Sequence, residues 1–112
     1  MTVQELSETW RPDGNLVMAA HIVRSLVDLA GVSGFTPVAD VDDFSAFHAL
    51  HLVTDGTPVV LLEYDRTSGY VYVLAGGHGA AVESAVTDVL GFLGVMPSEV
   101  PWTTWAGQSP SA

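Results

Sequence analysis

Three apolar runs of strand length follow one another across the middle of the chain, at 46–54, 58–65 and 69–75, punctuated by Asp55-Gly56 and Arg66-Thr67-Ser68. They are rich in Val, Leu and Tyr, and their short connectors suit hairpins, so they predict an antiparallel meander. In the third run Tyr70 and Tyr72 share one face while Val71, Val73 and Ala75 share the other. The valines are therefore expected to meet helices, and the tyrosines to face outward, where they can line a partner surface.

On either side of the meander the apolar spacing changes to a helical period. Leu16, Ala19, Ala20, Val23, Leu26, Val27 and Ala30 follow an i, i+3, i+4 pattern. Asp13-Gly14-Asn15 offers an N-cap and Gly31 a left-handed C-terminal residue, which predicts a helix over about 15–30. Met18, Ile22 and Leu29 add a second apolar row, for which self-association is one explanation. Val82, Ala85, Val86, Val89, Leu90 and Leu93 predict a second helix over about 80–93 with Glu83, Thr87 and Asp88 on its wet side. Turn-forming residues fill 32–45, with room for a short edge strand at 38–41. The expected fold is an α+β two-layer sandwich, in the order helix, three-stranded antiparallel meander, helix, with both helices on one sheet face. Residues 1–112 make a single domain in this reading: a lead-in at 1–12, a folded core at 13–96 and a tail at 97–112.

Charge narrows the functions open to such a domain. Thirteen acidic residues stand against Arg11, Arg24 and Arg66 and no lysine, a net charge of −10 with a pI near 4.3. Nucleic-acid binding needs several Lys or Arg on one stripe to release counterions, so DNA, RNA and anionic membranes are excluded as direct partners. The middle third is the acidic pole, and Asp40, Asp42 and Asp43 within it are candidates for contacting a basic protein. No cysteine is present, which removes disulfides, thiolate catalysis, iron–sulfur clusters and the usual structural zinc sites. The opening 1–10 segment carries Glu5 and Glu8 instead of a basic stretch followed by an apolar run, so a cytoplasmic location is expected. Lysine avoidance with abundant Ala, Val, Gly and Asp points to a GC-rich bacterial or phage gene.

Candidate chemistry is sparse. Gly76, Gly77, His78 and Gly79 link a strand to a helix and can aim backbone N–H groups at an anion, but without a GxGxxG spacing or a P-loop lysine. His48 and His51 are an odd number of residues apart, which puts them on opposite faces of a strand and argues against a shared metal. Asp40-x-Asp42-Asp43 departs from a calcium loop, because Phe44 takes the place of the third ligand. Glu63 and Asp65 are a carboxylate pair at a strand end, where acids ordinarily sit in water. No nucleophile has an evident base, and no catalytic residue, metal or cofactor is assigned. Trp102 and Trp105 are the most informative apolar residues outside the expected core, and they either pack back on the domain or dock on another protein. The reading is a non-enzymatic, acidic protein-binding module, a homodimer acting as an adaptor or chaperone-like partner through Tyr70, Tyr72, Trp102, Trp105 and the acids at 40, 42 and 43. The alternatives are an inhibitor or immunity-type protein occupying a basic surface, and a small-ligand-binding or enzymatic domain at the 76–79 loop.

Overall fold

A computed structural model of the chain describes residues 3–7, 9–11, 16–77 and 79–105. Among these, seven strands form one antiparallel sheet with two α-helices: β1 (Val3–Glu5), β2 (Val17–Ile22), α1 (Leu26–Ser33), β3 (Val38–Val41), β4 (Ala46–Thr54), β5 (Thr57–Tyr64), β6 (Val71–Ala75), α2 (Ala80–Phe92) and β7 (Trp102–Thr103). The strand order is β1-β4-β5-β6-β2-β7. β3 also pairs with β4, opposite residues 46–49, while β1 lies opposite residues 52–54.

This corrects the helix–meander–helix sandwich expected above. The meander of β4, β5 and β6 is only the centre of a wider sheet, because four of the segments around it, β1, β2, β3 and β7, are also strands. The largest difference lies at 15–30, where a strand precedes a shorter helix. β2 is flanked by β6 and β7, with Ala19, Ala20 and Ile22 fully buried. Ala19 and Ala20 are consecutive and both fully buried, so the run fits helical spacing as readily as alternation. A register shift between Met18 and Ala20 adds to the mismatch by breaking strict alternation. The helix begins only where Ser25 caps it, its hydroxyl oxygen accepting the Asp28 N–H at 3.2 Å. Gly31 lies within α1, and Gly34, at φ 78°, supplies the left-handed cap. The proposed N-cap residues 13–15 lie outside the described residues.

The first and last described strands, 3–5 and 102–103, join the sheet. Within the 1–12 lead-in, residues 3–5 form a strand, and Val3 packs against the core. The tail turns through a 3-10 segment at Pro97–Glu99, where the Glu99 carbonyl accepts the Val23 N–H at 2.8 Å. It then pairs with β2 opposite Ala20 and His21. Residues 106–112, expected to fray, lie outside the described residues.

The helices cover one face of the sheet. Ile22, Leu50, Leu52, Val59, Leu61, Val71 and Val73 meet Leu26 and Leu29 of α1 and Val82, Val86 and Val89 of α2 in one core cluster. Each such side chain contributes about 1.5–3 kcal/mol when removed from water. The opposite face carries the alternate residues of the same strands, and no described helix lies over it. Trp10, which lies between β1 and β2 in the sequence, sits against His51 on that face with ring centroids 5.2 Å apart.

Candidate binding face

The open face presents a row of aromatic rings across the strands. His21 of β2 is its centre: Trp102 on β7 lies 4.8 Å from it between centroids, Tyr72 on β6 5.1 Å and Tyr70 5.2 Å. Register explains the meeting, since His21 stands opposite Tyr72 on one side and Trp102 on the other. The neutral imidazole shares a 2.6 Å hydrogen bond between its Nδ1 and the Tyr70 hydroxyl, and burial holds its pKa below 6.5. Tyr72 continues the row to Tyr64 at 5.8 Å, and Tyr64 to Phe47 at 5.9 Å and Phe44 at 6.0 Å. Trp102 keeps 42% of its surface exposed and Phe44 78%. Such contiguous exposed aromatic surface is the composition of binding faces.

Between Tyr72 and Phe44 the face dips into a groove of about 540 Å³, with Met18, Leu62 and Leu74 as its apolar lining and Arg66 among its remaining contacts. One wall is organised by Asp42. Its Oδ1 accepts the N–H groups of Phe44 at 2.8 Å and Ser45 at 3.1 Å, and its Oδ2 accepts the Tyr64 hydroxyl at 2.5 Å. The Tyr64 bond, followed by the two backbone N–H groups, holds the Asp42 carboxyl below its ordinary range. Burial, reinforced by the Asp42 charge, pushes the Tyr64 phenol up to about 12.

The structure therefore brings Tyr70, Tyr72 and Trp102 together, while the other expected contact residues make separate contacts. Trp105 packs against the core. Asp40 pairs with Arg11 at 3.2 Å, Asp42 forms the turn just described, and Asp43 is exposed. Gly76 and Gly77 have backbone reasons for being glycine: a Cβ on Gly76 would stand 2.9 Å from Pro58 Cγ, and Gly77 has φ 93°. Gly79 precedes α2 at φ 65°, and His78 lies outside the described residues.

The remaining ionisable groups are structural. Glu63 accepts the Leu26 N–H at 3.4 Å and the Gly69 N–H at 2.6 Å, tying the start of α1 to the β5–β6 turn, so it is not one half of a carboxylate pair with Asp65. Asp65 lies 3.3 Å from His48. His51 is buried with an unpartnered Nδ1, and its pKa is lowered by burial and then by the Arg11 charge. Among the described residues no three His, Asp or Glu side chains gather as metal ligands, and no helix is long and apolar enough to cross a membrane.

The sequence reading missed His21, Phe44, Tyr64 and Arg66. His21 was placed on a helix, and only its strand register sets it between Tyr72 and Trp102. Phe44 lay in a segment read as turn, although a large apolar side chain beside Asp42-Asp43 is itself an unusual turn residue. In the comparisons with known proteins, no family model, no curated protein and no solved structure matches the chain.

Proposed function

We propose that this protein is a non-enzymatic binding module that docks a basic partner protein on the open face of its sheet, with Trp102, Tyr70 and Tyr72 around His21 as the contact centre. The observation that carries the reading is this half-exposed aromatic cluster on a chain of net charge −10. Lys and Arg side chains stack on Trp and Tyr faces for about 0.5–2 kcal/mol each, and long-range charge raises the rate at which a basic surface arrives. A second copy is the weaker occupant, since it would bring another −10 to the same face. The acidic-inhibitor reading shares this chemistry and differs only in what the partner loses by being covered.

The test is nuclear magnetic resonance titration with an amphipathic arginine–leucine peptide, a glutamate–leucine peptide of equal length, and light scattering on the protein alone. The expected result is a monomer whose Trp102 indole N–H and Tyr72 resonances move with the arginine peptide only. Affinity should fall at least about tenfold in Trp102→Ala, as for an interface anchor. Equal binding by both peptides, an unaffected Trp102→Ala variant, or a dimer that buries Trp102 would each reject the reading.

A further inference from the structure

Beyond Tyr72 from that cluster, the groove has a chemistry of its own. Its floor is aliphatic, from Leu62 and Leu74, and its walls are the rings of Tyr64, Tyr72 and Phe44. The one charged side chain that lines it is a cation, in a protein with only three. Arg11 pairs with Asp40, and Arg24 pairs with Asp28 and Glu99. Arg66 has no acceptor among the described residues. Two acids that could have competed for it are already engaged: both oxygens of Asp42, which holds the groove residue Tyr64, accept hydrogen bonds, and Asp65, its neighbour in sequence, is paired with His48. We infer that the groove is a small-molecule site for an apolar monocarboxylate, its alkyl or aryl body on Leu62, Leu74 and the three rings, and its carboxylate on the guanidinium of Arg66.

Size and charge both fit this class. A groove of about 540 Å³ lies within the roughly 300–1,000 Å³ of small-ligand sites, which are mostly apolar with one or a few polar groups that fix orientation. A planar guanidinium is the side chain best matched to a carboxylate, which it can grip with two parallel hydrogen bonds. The net negative charge does not forbid an anion here, because at physiological salt the repulsion of distant acids is screened beyond about 8 Å. The inference does not depend on a protein partner, and its test contains none.

Decanoate and 2-naphthoate, kept below micellar concentrations, are titrated against the protein alongside decanol and 2-naphthol, with the methyl resonances of Leu62 and Leu74 as reporters. At least one acid should move both methyls and bind about tenfold or more tightly than its neutral counterpart; which acid binds tighter distinguishes an alkyl from an aryl ligand. Arg66→Gln should erase the preference for the acid, and Arg66→Lys should keep part of it. Phe44→Ala, at a side chain 78% exposed and so outside the core, should weaken acid and alcohol alike. Equal binding of acid and alcohol, an Arg66→Gln variant that keeps the preference, or silent methyls with both acids up to millimolar concentration would overturn the assignment.

Discussion

Asp42 illustrates how much of the open face hangs on single side chains. One carboxylate closes the β3–β4 turn through two backbone N–H groups and holds the Tyr64 ring by its hydroxyl. Removing the charge should therefore be visible at the phenol: in Asp42→Ala the Tyr64 pKa is expected to fall from about 12 toward the ordinary 10, read by ultraviolet titration. An unchanged Tyr64 would leave burial alone as the cause. The two partly buried histidines act in the opposite pH range. Burial lowers the folded-state pKa of His21 and His51 from 6.5, so on acidification the unfolded chain takes up protons first. The stability they confer is complete above about pH 6.5 and is lost as pH falls through their lower folded values. The melting temperature should accordingly drop between about pH 7.5 and 5, and less steeply in a His21→Gln, His51→Gln double variant. Gly76 is a third such position. Its Cβ would meet the Pro58 ring at 2.9 Å, so Gly76→Ala should cost about 1–3 kcal/mol in chemical denaturation, whereas an unchanged midpoint would show that the ring moves freely.

At the scale of elements, local pattern and tertiary context part company over β2 and α1. The apolar runs of β4 and β5 between short turn-forming connectors, the alternation in β6 and the spacing in α2 were legible, because run length, punctuation and period are all local. β2 was not, since Ala19 and Ala20 are buried in succession across a register shift. The capping serine was present all along: Ser25, three residues before Asp28, is a helix start hidden inside a run that looked helical before it. Ser25→Ala should destabilise the protein by about 1 kcal/mol in chemical denaturation, a value within the usual range for a lost N-cap, and an unchanged midpoint would show that the cap contributes nothing. Glu63 gives the same helix a second anchor from another strand, and no local pattern announces a contact of that sequence separation.

The whole molecule combines a core on one face of a seven-stranded sheet with a row of aromatic rings on the other, in a chain carrying −10. Self-repulsion of that charge opposes compaction, so raising sodium chloride from about 10 to 200 mM should raise the melting temperature by a few degrees. A flat or falling curve would mean that the acids sit too far apart to interact. The amino-acid sequence by itself determined the acidic balance, the lack of thiol chemistry, the three central strands with their outward tyrosines, and the second helix. These depend on composition or on a period that any few consecutive residues carry. Only the tertiary structure decided that 17–22 is a strand, that 3–5 and 102–103 complete the sheet, and that His21, Tyr72 and Trp102 become neighbours. Those outcomes depend on which strands pair and in what register, and pairing between residues as far apart as 21 and 102 is set by the burial of the entire sheet and not by anything the chain displays locally.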